Sequence, residues 1–260
     1  MERKEPLLSV SKLTKIFGGV TAVEDVSFTV FPGQIVAVIG PNGAGKTTLF
    51  NMITNVLPKT SGTIHFDGHD TSGKKPSDLA KLGITRTFQN LQTFQNMQVV
   101  ENVMTGAHVR LKTGFLTSAF RLPSVKKEEE AVLRQAMQHL QEVGLADLAH
   151  EIADNLPYGS QRLLEIARAA ASEPQLILLD EPMAGLNPQE SRDLMRIILD
   201  MRAKGMTFLF VEHDMETVMT IADHIVVLDF GKKIAEGTPE EIMNNPQVIS
   251  AYLGEKEVVI

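Results

Sequence analysis

Cysteine is absent from the 260 residues of this chain, which excludes disulfide bonds and thiolate metal sites and fits a reducing compartment. Long apolar runs are missing too: no stretch approaches the roughly 18 uninterrupted apolar residues of a membrane-spanning helix, and no apolar signal segment follows the first residues. Basic residues number 25 against 32 acidic ones, a balance that does not favour a broad nucleic-acid-binding surface. We therefore expect a globular cytosolic protein that reaches a membrane only through a partner.

A glycine-rich loop is the most informative segment that is present. It reads Gly40-Pro41-Asn42-Gly43-Ala44-Gly45-Lys46-Thr47 and fits the phosphate-binding pattern G-x-x-x-x-G-K-[ST]. A short apolar strand, 34–39, precedes it, and a helix follows it from Thr48. The glycines let backbone N–H groups turn around an anion, and the start of the helix adds its positive dipole end. We expect the loop to bind a nucleoside triphosphate, with Lys46 on the β- and γ-phosphates and Thr47 on Mg²⁺.

Two adjacent carboxylates follow a second apolar strand. The run Leu176-Ile177-Leu178-Leu179 delivers Asp180 and Glu181 to its carboxyl end, where ligands bind in open parallel sheets. We expect Asp180 to orient the Mg²⁺ shell and Glu181 to polarise the water that attacks the γ-phosphate. The alternative is a polar strand end beside the turn at Pro182. The order of the two motifs along the chain favours the catalytic interpretation.

Two further polar residues are candidates for the same site. His213 follows the next apolar strand, 207–211, and therefore also emerges at the carboxyl edge of the sheet, within reach of the γ-phosphate. Gln89 sits at the start of a region with few strands, and its amide could reach both Mg²⁺ and the attacking water. The alternatives are a structural histidine and a turn residue without a ligand.

The hydrophobic pattern divides the chain into three parts. Residues 7–30 alternate apolar and polar positions, which predicts antiparallel strands, and another strand is expected at 62–66. Beyond residue 175 apolar strands alternate with helices, which is typical of a parallel sheet covered by helices. The fold class predicted is α/β, a P-loop NTPase with a RecA-like parallel sheet, an N-terminal antiparallel β-subdomain and an inserted helical subdomain.

The inserted segment, at about residues 92–165 of one 1–260 domain, is predicted to be mostly helical. Its clearest helix covers 126–143 and ends at Gly144. Leu133, Met137 and Leu140 recur at helical spacing along it, and we expect this stripe to pack in a core rather than to bind a partner.

The motifs, taken in order, resemble those of the ATP-binding-cassette (ABC) ATPases over essentially the whole chain. In that family Gly40 to Thr48 is similar to the Walker A loop, Gln89 to the Q-loop, 176–181 to the Walker B strand and His213 to the switch histidine. The resemblance also implies that an aromatic residue near the first strands stacks on adenine. Phe17 occupies that position, with simple packing as the alternative.

The family's signature motif and D-loop are both altered here. The usual Leu-Ser-Gly-Gly-Gln aligns with 156–160, where Pro157 replaces the serine that meets the γ-phosphate, so that contact is lost. The Gly159 N–H and a helix beginning near Ser160 still suit an anion, and the resemblance implies that Tyr158, Gly159 and Ser160 contact ATP held by another subunit. In the D-loop, Asn187 stands where aspartate is usual.

The resemblance implies a transporter subunit that works with other chains. One Walker A motif cannot close the family's head-to-tail ATP sandwich, so a second copy or a related ATPase is required. The variant signature, Asn187 and the long stretch 106–125 look most like the ATPases of high-affinity branched-chain amino acid importers. That family implies two permeases, indirectly a solute-binding protein, ATP with Mg²⁺, no nucleic acid, and a peripheral position on the cytoplasmic face of the plasma membrane.

Other functions remain as alternatives at this stage. The ATPase of lipopolysaccharide export has similar sequence character but a more regular signature. A soluble ABC ATPase acting on DNA or ribosomes would be expected to carry coiled-coil arms or two cassettes, and neither pattern is present in the sequence. A small-molecule P-loop kinase is disfavoured because Glu181 and His213 suit water activation. The solute, and the choice between homodimer and heterodimer, are not fixed by these residues.

Overall fold

The computed structural model describes residues 5–87, 91–108 and 123–253. The strands are β1 Leu8–Phe17, β2 Val20–Val30, β3 Ile35–Ile39, β4 Ser61–Phe66, β5 His69–Asp70, β6 Ile84–Arg86, β7 Leu176–Asp180, β8 Thr207–Val211, β9 His224–Asp229 and β10 Lys232–Gly237. The helices are α1 Lys46–Ile53, α2 Pro76–Leu82, α3 Val99–Ala107, α4 Pro123–Glu142, α5 Tyr158–Ala170, α6 Pro188–Ala203, α7 Met215–Ile221, α8 Pro239–Met243 and α9 Pro246–Leu253.

The first strands form a four-stranded sheet in the order β2-β1-β4-β5. Its neighbouring strands are antiparallel, with Leu8 opposite Val30 in one ladder and Phe66 in the other. Leu8, Val10 and Leu13 are buried on one face, as the alternation of apolar residues predicts. The prediction of an antiparallel, strand-rich start is confirmed.

A six-stranded sheet in the order β10-β9-β3-β8-β7-β6 forms the centre of the molecule. Every pairing in it is parallel except that of β10 with β9, so the predicted parallel sheet carries one antiparallel edge strand. Strand β3 lies between β9 and β8, and β7 follows β8. Because parallel strands end at the same edge, the segments after β3, β7 and β8 meet there.

The central sheet is buried on both faces. On one face Val36 and Val38 pack with α1 and the antiparallel sheet in a shared apolar core. On the other face Ile35, Ala37 and Ile39 contact apolar side chains of α5, α6 and α7. All five residues of β3 are buried, which explains why this strand has a continuous apolar sequence rather than an alternating one.

Helices α3, α4 and α5 share a separate apolar core. The helix predicted at 126–143 is present as α4, with Val132, Ala136 and Leu140 buried along it. Of the predicted stripe, Leu140 and Met137 pack in this core, whereas Leu133 is 40% exposed. The prediction that Leu133 packs in a core is wrong, because Val132 occupies the face turned towards the neighbouring helices. The boundaries of a helical subdomain at 92–165 stay a prediction. Within the described ranges no helix is long and apolar enough to cross a membrane.

Candidate nucleotide-binding site

The loop between β3 and α1 is built around three glycines with positive φ. Gly40, Gly43 and Gly45 have φ values of 151°, 79° and 98°, a region that residues with a Cβ rarely adopt. Space is also short at two of them: a Cβ on Gly40 would lie 2.0 Å from Leu228 O, and one on Gly45 would lie 2.5 Å from Ala22 O. The glycines are therefore required by backbone conformation and by close packing against β9 and β2.

Lys46 is the first residue of α1, and its side chain is folded back over the loop. It is only 6% exposed, and its Nζ donates to Gly40 O at 2.7 Å and to Pro41 O at 2.9 Å. These carbonyls hold the ammonium group at the mouth of the loop. The N-cap residue, Gly45, supplies no side-chain acceptor to the first turn, and no acidic residue lies in that turn. The start of α1 therefore presents a positive end, which suits an anion.

The loop, Glu181 and His213 line one cleft of about 220 Å³. Its lining consists of Ala22, Asn42, Gly43, Ala44, Gly45, Lys46, Thr47, Thr48, Glu181 and His213. The sequence placed these groups in one site from the order of strands alone, and the structure brings them together. Gly40 and Pro41 belong to the same loop but are not among these lining residues, and their carbonyls accept from Lys46.

Glu181 and His213 contact each other directly. Nε2 of His213 lies 2.6 Å from Oε1 of Glu181, although sequence reasoning directed His213 at the phosphate rather than at this carboxylate. The Glu181 backbone has a φ of 49°, an uncommon conformation for a residue with a side chain, which costs about 1–3 kcal/mol. The N–H of Glu181 donates to Val211 O on β8 and holds this conformation.

A third carboxyl, Glu212, lies behind this pair and was missed by sequence reasoning. It is 4% exposed and accepts hydrogen bonds from Met183 N at 2.8 Å and from His213 N at 3.1 Å. Burial raises the pKa of the Glu212 carboxyl, and the neighbouring Glu181 charge adds to this, while the two N–H groups act in the opposite direction. Glu212 thus joins the loop after Glu181 to the loop that carries His213.

Asp180 is buried at the end of β7 and is paired with a cation. Its Oδ2 accepts from Arg86 at 2.6 Å, and Arg86 also donates to Asn51 Oδ1 on α1 at 2.6 Å. Asp180 is not among the residues lining the cleft, so its predicted role in orienting the Mg²⁺ shell stays a prediction. In the described part of the chain no three His, Asp or Glu side chains form a metal cluster.

The altered signature segment begins a helix whose first residues do not line the cleft. Helix α5 starts at Tyr158, two residues earlier than the predicted start near Ser160, with Pro157 at the N-cap position. Proline is compatible with this position because the N-cap residue has an extended backbone and the helix does not use its N–H. Tyr158, Gly159 and Ser160 are absent from the lining of the cleft among the described residues. The structure therefore does not bring the signature residues and the phosphate loop of one chain together.

Asn187, which replaces the usual aspartate of the D-loop, caps helix α6. Its side chain accepts from Gln189 N and Glu190 N, and its own N–H donates to Glu190 Oε2. Asparagine and aspartate serve this capping role about equally well. The substitution is therefore compatible with the local structure.

One predicted residue, Phe17, stands apart from the cleft lining. Phe17 ends β1 and is 45% exposed, and the ammonium group of Lys15 lies 4.8 Å from the centre of its ring. Phe17 does not line the cleft, although Ala22 of the adjoining strand β2 does. Gln89 lies outside the described residues.

The fold and the cleft define a class of protein, an α/β ATPase built around a phosphate-binding loop. The sequence profile of the ABC transporter family matches residues 23–184, and a profile described as branched-chain amino acid ATP-binding cassette transporter matches residues 232–258. The chain belongs to the ABC transporter family, and its activity is ATP hydrolysis.

Individual relatives are similar over nearly their full length. The high-affinity branched-chain amino acid transport ATP-binding protein BraF of Pseudomonas aeruginosa is 46% identical over 251 residues, covering 96% of this chain and 98% of the relative. LivG of Escherichia coli strain K12, a protein of the same description, is 44% identical over 252 residues, covering 96% and 99%. A crystal structure of an ABC transporter's ATP-binding cassette in its ADP conformation superposes with a TM-score of 0.83 at 35% identity, covering 96% of this chain and 99% of that one.

Proposed function

We propose that this chain is the ATP-hydrolysing subunit of an importer of branched-chain amino acids. The observation that carries the hydrolytic part is the cleft in which the phosphate loop meets Glu181 and His213. The transported solute is supported by the match of residues 232–258 to the branched-chain profile and by the names of the two relatives.

The cleft suggests a role for each side chain. Lys46 and the N-terminus of α1 bind the β- and γ-phosphates, because both present positive charge to the same space. Glu181 orients and polarises the attacking water, and His213, 2.6 Å away, fixes the direction of that carboxylate. Phe17 stacks on adenine from the end of β1, where the residue is 45% exposed.

Mg²⁺ fits the oxygen groups at this edge of the sheet. Thr47 places a hydroxyl in the cleft, and Asp180 supplies a carboxylate through water, while Gln89 is the third residue in the proposed set. Hydroxyl, carboxylate and amide oxygens are the donors that this hard cation prefers. When bound, Mg²⁺ neutralises charge on the β- and γ-phosphate oxygens. Arg86 limits Asp180 to an indirect role because it already occupies one carboxylate oxygen.

A second ATPase subunit completes the site in this proposal. Tyr158, Gly159 and Ser160 lie at a helix start that does not line this chain's own cleft, as far as the described residues go. A head-to-tail partner would place its equivalent residues over the γ-phosphate. Whether the partner is a second copy or a related chain is an outcome of the experiment below.

The permeases are proposed to dock in a groove next to the Gln89 segment. This groove has a volume of about 490 Å³, and its lining includes Thr87, Gln92, Phe94 and Arg168. Phe94 is an exposed aromatic ring in it, and the guanidinium group of Arg168 lies 5.7 Å from the centre of that ring. A mixed apolar and cationic groove suits a short helix from a membrane protein. Docking of the permeases there would hold this chain at the cytoplasmic face of the membrane.

The test is affinity purification of tagged Glu181→Gln protein from detergent-solubilised native membranes with ATP and Mg²⁺. This variant should bind ATP without hydrolysing it and so keep its partners. Lys46→Ala is the matched control, since it removes the cation that holds the phosphates. We expect two polytopic permeases and one ATPase partner with Glu181→Gln, and fewer with Lys46→Ala.

Uptake of radiolabelled leucine, isoleucine and valine by cells carrying each variant then tests the solute. Loss of uptake with Glu181→Gln supports branched-chain import, whereas normal uptake contradicts it. Recovery of ribosomal or DNA-associated proteins instead of permeases would overturn the transport function altogether.

A further inference from the structure

Four hydrogen bonds in series connect the groove to the loop after Glu181. Gln92 N donates to Glu165 Oε1 at 2.7 Å, and Glu165 Oε2 accepts from Arg162 at 3.1 Å. Arg162 also donates to the Tyr158 hydroxyl at 3.1 Å, and that hydroxyl donates to Ala184 O at 3.3 Å. The series begins three residues after Gln89, passes along α5 and ends three residues after Glu181. We call these residues, from Gln92 to Ala184, the polar strut.

The middle of the polar strut is buried and tightly constrained. The side chains of Arg162 and Glu165 are each 1% exposed, and both lie on the inner face of α5. Separating the two side chains would leave each buried charge uncompensated, so a movement that breaks this ion pair is costly. Burial raises the pKa of the Glu165 carboxyl, while Gln92 N–H and the arginines at 162 and 168 favour its charged form.

Each end of the polar strut makes more than one contact. At the groove end, Arg168 donates to Gln92 O, so the backbone N–H and C=O of Gln92 are both bound by side chains of α5. At the other end the Tyr158 ring packs against Gly185, where a Cβ would lie 3.0 Å from the ring. A displacement of Gln92 therefore cannot occur without moving α5 or breaking a buried contact.

We propose that Arg162 and Glu165 are positioning residues that couple the groove to the start of α5 and to the loop 183–187. The inference rests on the proposed function, because that function assigns the groove to the permeases. Neither residue lines the nucleotide cleft. Their role is to set where Tyr158 and Ala184 lie when a permease displaces the Gln92 segment.

Amide hydrogen exchange on the full chain with ADP tests the coupling. The variants are Glu165→Gln, Tyr158→Phe and the double substitution, and Asp200→Asn on the exposed face of α6 is the matched control for changing a carboxylate to an amide. In Glu165→Gln we expect exchange at 183–187 to rise about fivefold, because the polar strut joins Glu165 to that loop through Arg162 and Tyr158. The control should match the unmodified chain.

The double variant decides whether the residues act as one unit. We expect its exchange at 183–187 to be no faster than that of the faster single variant, because both changes break the same series. Acceleration confined to 91–94 in Glu165→Gln would overturn the proposal, and so would a general rise that includes β1 and β2. If Glu165→Gln does not fold, Tyr158→Phe still tests the reverse direction. It removes one oxygen from an exposed ring and should accelerate exchange at 91–94, and no change there would count against coupling.

A kinetic split separates positioning from general stabilisation. In the purified transporter, Glu165→Gln should lower kcat for ATP hydrolysis about tenfold and leave KM for ATP within about twofold, because the nucleotide cleft is untouched. A rise in KM at constant kcat would contradict the proposal. The exchange experiment needs neither solute nor permease, so its result stands apart from the failure or success of the import function.

Discussion

Single residues at the strand ends are held in conformations that the sequence only partly reveals. The positive φ values of Gly40 and Gly45 follow from the loop pattern, because the glycine positions are part of the motif. Burial of Glu212 could not be predicted, since a glutamate next to a histidine is usually exposed and nothing in its sequence position shows that two N–H groups converge on it. The contact between His213 and Glu181 was also missed, because the order of the strands shows that both side chains lie at one edge of the sheet but not that they touch each other.

Glu212→Gln should impair hydrolysis more than binding. A glutamine offers one acceptor oxygen where the carboxylate offers two, so one of the N–H groups of Met183 and His213 loses its partner. Losing a hydrogen bond to a charged group costs about 1.5–3 kcal/mol, which corresponds to at least a tenfold fall in kcat if it is felt in the transition state. Steady-state ATPase assays measure this.

The control for that variant is Glu216→Gln, an exposed glutamate on the next helix. It should retain the full rate. An unchanged kcat in Glu212→Gln would mean that the placement of Glu181 and His213 does not depend on this carboxyl.

Helices and strands were predicted from periodicity, and their limits were set by capping. Helix α5 begins at Tyr158, directly after Pro157 with its extended backbone at the N-cap position, whereas the prediction followed the signature alignment to Ser160. The phase of α4 could not be predicted, since Val132 and Leu133 are both apolar and only packing against α3 and α5 decides between them. The short elements β5, α2 and β6 lack a periodic signal long enough to be recognised.

Asn187→Ala should destabilise the chain by about 1 kcal/mol through helix α6. The substitution removes the acceptor for Gln189 N and Glu190 N at the first turn. Asn187→Asp is the matched control, because aspartate caps as well as asparagine, and it should stay within a few tenths of a kcal/mol. Urea unfolding followed by circular dichroism measures both, and equal midpoints for all three proteins would show that the cap contributes nothing.

The β9–β10 hairpin should lose stability in acid. The pKa of the Glu236 carboxyl is lowered from 4.5, first by its hydrogen bond with His224 and also by Lys233. A carboxyl with a lowered pKa in the folded state contributes stability above about pH 4.5 and loses that contribution as the pH falls below this value.

The measurement for the hairpin compares unfolding midpoints of the unmodified chain and Glu236→Gln at several pH values. We expect the unmodified chain to be the more stable at pH 7 and the difference to shrink below about pH 4.5. Glu240→Gln on α8 serves as an exposed control. A difference that stays constant across this range would exclude Glu236 as a source of the pH dependence.

At the scale of the whole molecule, two sheets share one core and the helical segment has its own. The order of strand, loop and helix was enough to predict the class of fold and the edge at which the cleft lies. It was not enough to place the signature residues relative to that cleft, because their relation depends on how α5 packs and on a second chain.

Nucleotide should stabilise the folded chain as a whole. A ligand that binds only the folded state adds about 2.7 kcal/mol at a concentration of one hundred times its Kd. We therefore expect ADP to raise Tm in differential scanning fluorimetry, and Lys46→Ala to abolish most of this rise, because Nζ of Lys46 is the cation held over the loop. An equal ADP-dependent shift in Lys46→Ala would place the phosphates elsewhere.

The position of β3 between β8 and β9 has a consequence for biosynthesis. Residues 35–39 leave the ribosome early, but both of their neighbouring strands come from residues 207–229. The phosphate loop lacks its flanking strands until almost the entire chain has been translated, and parallel pairing over such a sequence separation is slow. The nascent chain therefore cannot complete its nucleotide site before β8 and β9 have left the ribosome. We expect ATP to bind only after that point.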